Sequence, residues 1–158
     1  MTEHVACRPA TPSDVGFLAD VVIEATADQG RLPADLDLAE YRAGYMEWTA
    51  EHVHGEVDGS STFVIEVDGQ QAGRLRVVQN SECLELAGIQ LLPRFQSQGI
   101  GSHIVRSLVE RAVSSGRRFE LTVDKDNPRA RALYERLGLV EESGSDDKHL
   151  MVWPPHVR

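Results

Sequence analysis

Between Leu92-Pro93 and a run of helically spaced apolar residues that begins at Ile100, the chain carries Gln96-Ser97-Gln98-Gly99-Ile100-Gly101. This junction has two glycines and no side chain that chemistry requires. A strand, a glycine turn and a helix in that order bring backbone N–H groups together at the positive end of a helix dipole, which suits a phosphate or pyrophosphate. A Cβ there would hold ligand oxygens away from the amides, and part of such a turn needs positive φ. Taken alone, Gly-x-Gly before a helix is equally often a tight connection. The turn lacks both the Lys-Ser/Thr pair of a phosphate-binding loop and the third glycine of a dinucleotide fingerprint, which weakens those two readings.

The elements that must position this turn are legible in the spacing. A short first strand is predicted at 4–10 and a helix at 11–28, with Thr11 or Ser13 as N-cap and Phe17, Leu18, Val21, Val22 and Ala25 on one stripe. After a loop at 28–33, a second helix from about Asp37 to His52 places Tyr41, Tyr45 and Trp48 on one face. Such a stripe usually belongs to the core; the alternative is the wall of a substrate pocket. Two alternating segments meet at Asp68-Gly69, a two-residue hairpin turn. The next strand, Cys83 to Leu92, has Gly88 in its middle, which marks a bulge or a close approach of backbone or ligand. An amphipathic helix from Ile100, a strand at 119–123, a helix capped by Asn127 and ended by Gly138, and two short strands near 139–142 and 148–153 complete the chain.

At 158 residues the chain matches one ordinary domain, read here as spanning 1–158, α/β in the α+β sense. No apolar run reaches the roughly 20 residues of a membrane span and no secretory leader pattern is present, so the expected location is cytoplasmic, with no membrane partner. The formal charge of -9 argues against nucleic acid and suits a cationic partner such as an amine. Cys7 and Cys83 are expected to be buried apolar thiols. His52 and His54 would share a face only in a strand, and the pattern around them is helical; no metal is expected.

The order of elements and three separated motifs resemble the GNAT superfamily of N-acetyltransferases. Gln96, Gly99 and Gly101 match the family's Gln/Arg-x-x-Gly-x-Gly/Ala signature. Asn127, Ala130, Leu133, Tyr134, Gly138 and Leu139 resemble its Asn-x-x-Ala-x-x-Leu-Tyr-x-x-x-Gly-Phe pattern, with Leu139 in place of Phe. The stretch from Leu86 to Pro93 is similar to the family's fourth strand, and Cys7 to Asp14 to its first strand and helix start. The resemblance is strongest from Leu84 to Val140 and weakest from Arg31 to Gly59. It implies a central, mixed, mostly antiparallel sheet of about seven strands flanked by about four helices.

It also implies acetyl-CoA as co-substrate, an amine as acceptor, direct transfer in a ternary complex, and a homodimer as the family's habit. Backbone amides from Gln96 to Ser102 would hold the pyrophosphate, with Gln96, Gly99, Ile100, Gly101 and Ser102 named individually. The fourth and fifth strands splay in this family and admit the pantetheine arm, which Asn127 would contact. The main-chain N–H of Leu91 would meet the oxyanion, and Tyr134 would protonate the departing thiolate.

A lysine-like amine is neutral about once in a few thousand molecules at pH 7, a cost of roughly 4 to 5 kcal/mol, so a base or an acidic water chain must take its proton. Glu85 falls where protein-acetylating members carry a base glutamate. Glu82, Glu40 and Glu47 are alternatives. Arg117 and Arg118 could touch the CoA 3'-phosphate or form a solvated helix end. A small-molecule acceptor is slightly favoured over a peptide or protein. The rival reading is an acyl-CoA-binding sensor or regulatory domain without efficient catalysis.

Overall fold

The computed structural model describes residues 4–53 and 59–153, the side chain of His52 excepted; His54 lies outside the described residues. Contacts gather the chain into two compact units, the first holding the described residues up to Arg76 together with Gly88–Ile100, the second Val77–Ala87 together with residues 101–153.

In the first unit, β1 (Val5–Pro9) leads through a 3-10 turn (Pro12–Asp14) into α1 (Val15–Asp28), followed by α2 (Leu38–Val53) and β2 (Ser60–Val67). The start of β3 (Gln70–Gln79) and the end of β4 (Cys83–Leu91) complete its sheet. β1 pairs antiparallel with β2, from Val5 opposite Val67 to Pro9 opposite Phe63. Of the apolar stripe predicted for the first helix, Leu18, Val21, Val22 and Ala25 are buried and Phe17 is half-buried; Val64 and Ile65 of β2 and Ala72 of β3 are fully buried. α1 touches α2 and the short turn Pro93–Phe95 that precedes the glycine junction.

The hairpin turn is as expected. Asp68 and Gly69 both take positive φ, 51° and 82°, the pair of values a two-residue turn between right-twisted strands demands. Gly73 has a different reason: a Cβ there would lie 2.3 Å from the Gln90 carbonyl oxygen, so only glycine lets the end of β4 come this close.

The second unit holds the end of β3, the start of β4, α3 (Ile100–Ser114) beyond its first residue, β5 (Arg118–Asp124), α4 (Pro128–Arg136), β6 (Val140–Gly144) and β7 (Lys148–Trp153). β4 and β5 run parallel, Cys83 opposite Arg118 through Leu86 opposite Leu121. β5 pairs antiparallel with β7, and β7 with β6, where the register shifts between Glu141 and Ser143. Leu84, Val105, Phe119, Leu121, Met151 and Val152 are among the large side chains buried here. Among the described residues seven strands follow the order β1-β2-β3-β4-β5-β7-β6, a mixed sheet with four α-helices.

Three expectations change. Of the aromatic stripe on α2, Tyr41 and Tyr45 are half-buried and Trp48 is exposed, so the stripe is not core. Among the described side chains of this helix, the one that is fully buried is instead the polar Thr49. Cys7 is exposed and Cys83 is half-buried. The two arginines after Gly116 are a fixed structural joint: Arg117 Nε donates to the Asn80 carbonyl at 2.7 Å, and Arg118 pairs with Glu120 and Glu142.

Candidate active site

The junction that opens α3 is built by the residues around it. Leu92 and Phe95 are buried and fix the approach, and Ile100 is buried at the first turn of the helix. Between these anchors the backbone alternates sharply: Gln96 is extended, Ser97 has φ 62° and Gly99 has φ 81°. Ser97 holds a conformation that favours glycine, at a cost of order 1 kcal/mol. A Cβ on Gly99 or Gly101 would meet nothing within 4 Å. Neither glycine is therefore demanded by packing, and both leave open space at the N-terminus of a fifteen-residue helix. Backbone amides at the start of a helix are the groups an anion would meet there.

Gln96 has a second task. Its side-chain amide donates to the Leu91 carbonyl at 3.0 Å, and its backbone N–H donates to Pro93 O at 3.1 Å. The side chain thus ties the turn to the end of β4, the strand end expected to supply the oxyanion donor. The Gln98 side chain likewise donates to Arg94 O at 2.8 Å. Leu91, Gln96, Gly99 and Ile100 all belong to the first unit.

Glu85, Gly101, Ser102, Asn127 and Tyr134 belong to the second. Gly101 and Ser102 lie in the first turn of α3 and are half-buried. Asn127 caps α4: its Oδ1 accepts from Ala130 N–H at 3.3 Å, and Pro128 follows as first helical residue. Tyr134, on the same helix, is buried, and burial pushes its phenol above the ordinary value of 10. The group therefore stays protonated through the neutral range.

Glu85 is half-buried and stands in register with Glu120 on the parallel neighbour, so the two carboxylates leave the same face of the sheet. Cys83 and Arg118 share that row. Burial, with Glu120 beside it, pushes the Cys83 thiol up to about 11, which makes it a poor nucleophile at neutral pH. Glu82, Glu40 and Glu47 are exposed. Among the described residues no group of three or more His, Cys, Asp or Glu side chains is placed to hold a metal ion.

One cluster was missed in the sequence. Arg74 of β3 is only 5% exposed, and its Nη1 donates to Gln90 Oε1 of β4 at 2.8 Å. Its guanidinium lies 5.4 Å from the centroid of Trp48, which Arg76 also faces at 5.2 Å. Gly88 makes room for it: a Cβ on that residue would be 2.7 Å from Arg74 Nη1. The close approach expected at Gly88 is thus a side chain. The signal was a period of two, Arg74 and Arg76 on one strand and Gly88 and Gln90 on the next, inside otherwise apolar segments.

Comparison with known proteins adds the lineage. A family model described as the acetyltransferase (GNAT) family matches residues 13–139. An uncharacterized N-acetyltransferase of Methanocaldococcus jannaschii is 30% identical over 106 residues, 62% of this chain and 45% of that protein. Spermidine N(1)-acetyltransferase of Escherichia coli is 27% identical over 96 residues, 58% of this chain and 50% of that protein. The chain thus matches about half the length of these curated relatives. Among solved structures, the PaiA N-acetyltransferase of Thermoplasma acidophilum in complex with coenzyme A superposes with a TM-score of 0.79 at 16% identity, over 94% of this chain and 98% of that one.

Proposed function

The chain belongs to the acetyltransferase (GNAT) family, and on that premise we propose that it transfers the acetyl group of acetyl-CoA to a primary amine by direct attack in a ternary complex, within one domain spanning 1–158. The observation that carries this reading is the junction 96–101 at the start of α3, where Ser97 and Gly99 take positive φ and a Cβ on Gly99 or Gly101 would meet nothing within 4 Å. These features fit a pyrophosphate, and the relative solved with coenzyme A supports the same ligand. A small-molecule acceptor is slightly preferred to a peptide. The spermidine acetyltransferases among the relatives make a polyamine the first comparison to run. The homodimer implied by the family accompanies this proposal, and light scattering measures it.

In the proposed reaction the amine nitrogen attacks the acetyl carbonyl, a C–N bond forms, and the C–S bond breaks. The nitrogen's proton passes to Glu85, directly or through water. The oxyanion is met by the Leu91 N–H, whose strand end is steadied by Gln96. The thiolate receives its proton from Tyr134. A phenol raised above its ordinary value of 10 gives its proton to a thiolate of pKa about 8.5 against an uphill gradient. Tyr134 therefore acts mainly as a hydrogen-bond donor to the developing thiolate, and completes the transfer as CoA leaves.

Tyr134→Phe tests the acid role: turnover falls by more than about tenfold while acetyl-CoA affinity changes little. Unchanged turnover sinks the role, and absence of turnover in the parent protein with every amine tried favours a sensor that only binds the thioester. Gly101→Glu places a carboxylate where the amides are exposed and abolishes acetyl-CoA binding; normal binding by that variant would remove the pyrophosphate assignment.

A further inference from the structure

Arg74 is a cation almost wholly withdrawn from water, and among the described residues none of its partners is a carboxylate. Gln90 satisfies one N–H group through a neutral oxygen, and Nε has no hydrogen-bond partner. The indole of Trp48 offers a ring face, which compensates a buried guanidinium only in part. Burial and the like charge of Arg76 press the Arg74 guanidinium down to about 10, although an arginine does not give up its proton in the neutral range. A buried charge without a counter-ion is among the costliest arrangements in a fold, and an apolar residue of similar volume in its place is often neutral or stabilising. The surroundings nevertheless preserve it: Gly88 gives up its side chain to make room, and Gln90 and Trp48 hold the guanidinium in place. Gln90, which holds the cation, immediately precedes in sequence Leu91, the residue expected to meet the oxyanion.

We propose that Arg74 anchors a carboxylate carried by the acceptor, so that the substrate is an amine bearing an acid group, such as an amino acid or the free end of a small peptide, and not a polyamine. The proposal rests on the acetyltransferase reading for its acceptor and on the Arg74, Gln90, Gly88 and Trp48 arrangement for its chemistry. A planar guanidinium with an unused N–H matches a carboxylate in shape and charge. A polyamine brings further positive charge to a place that already holds two guanidiniums, and is repelled.

The test measures binding and turnover separately. The free L-amino acids, their carboxamides, glycyl dipeptides and spermidine are titrated calorimetrically against the protein with CoA bound, and the same compounds are assayed for CoA release from acetyl-CoA. At least one acid should bind ten or more times more tightly than its carboxamide, with spermidine weaker than both. Arg74→Met should erase that ratio, and Arg74→Lys should restore part of it. Should Arg74→Met fail to fold, Gln90→Leu, which removes the group that orients the guanidinium, should reduce the ratio at least threefold. Equal binding of acid and carboxamide, tighter binding of spermidine, or a ratio that survives Arg74→Met overturns the anchor. A tenfold loss of acetyl-CoA affinity in Arg74→Met also overturns it, because the anion would then belong to the thioester. CoA release without any preference for the acid overturns the anchor alone. Acid preference with no CoA release from any of these compounds supports the anchor and removes the enzyme reading.

Discussion

Asp14 stays charged inside the fold because Arg8 grips both of its oxygens, Nη1 to Oδ2 at 2.9 Å and Nη2 to Oδ1 at 3.0 Å, while the Thr11 N–H donates at 2.8 Å. The hydrogen bonds from Arg8 are the main cause that brings its carboxyl down to about 2. A carboxyl depressed in the folded state contributes stability that is complete above its unfolded value near 4 and is lost as pH falls through about 2. Asp14→Asn should therefore lower unfolding free energy by about 1 to 2 kcal/mol at pH 7, measured by urea titration. The gap should close between about pH 4 and pH 2; a gap of constant size would mean that charge is not what Asp14 contributes. The sequence showed a helix start at Thr11 to Asp14 because local turn chemistry is short-range. Nothing in it linked Arg8 to Glu66, fifty-eight residues away and 2.9 Å from Arg8 Nε, since that pair exists only once β1 has found β2.

At the scale of elements, each feature that depends on a few adjacent residues was readable. The Asp68-Gly69 turn, the Asn127 cap and the start of α3 fall where turn and cap residues put them. The face of α2 was not readable, because aromatic spacing says which residues share a stripe and leaves open what covers it. Here Tyr41, Tyr45 and Trp48 form an edge-to-face ladder, with centroids 5.2 Å and 6.2 Å apart, and its Trp48 end meets arginines of β3. Gly44 sits in this helix with nothing within 4 Å of where a Cβ would be. Gly44→Ala should raise stability by about 0.5 to 1 kcal/mol, seen as a higher Tm with unchanged CoA binding. A fall in Tm would show that something seats itself on that position in solution.

For the whole molecule, the charge of -9 sets the long-range field. Acetyl-CoA is itself strongly anionic, so the two should repel at a distance even though the junction 96–101 is proposed to hold its pyrophosphate close by. Raising salt from about 10 mM to about 150 mM shortens the screening length from roughly 30 Å to roughly 8 Å. Association of acetyl-CoA should then become faster by a factor of about two to ten, followed by stopped flow. Slower association at high salt would mean that lysine and arginine side chains, and not backbone amides, guide the phosphates in. The family was legible because its glycine signature, the proposed thioester-binding motif, is local in sequence. The proposed acceptor anchor was obscure because Trp48, Arg74, Gly88 and Gln90 are spread over α2, β3 and β4 and come together only in the folded chain.

Trp48 turns that arrangement into a signal. The chain has two tryptophans, and the ring of Trp153 closes over Gly138, while the indole of Trp48 is 37% exposed and faces two guanidiniums. An excited indole reports the electric field along its ring, so an anion drawn to Arg74 shifts the colour of the emission as well as its intensity. The protein therefore carries its own dye beside the proposed anchor, and acceptors can be screened in a cuvette with no label and no turnover.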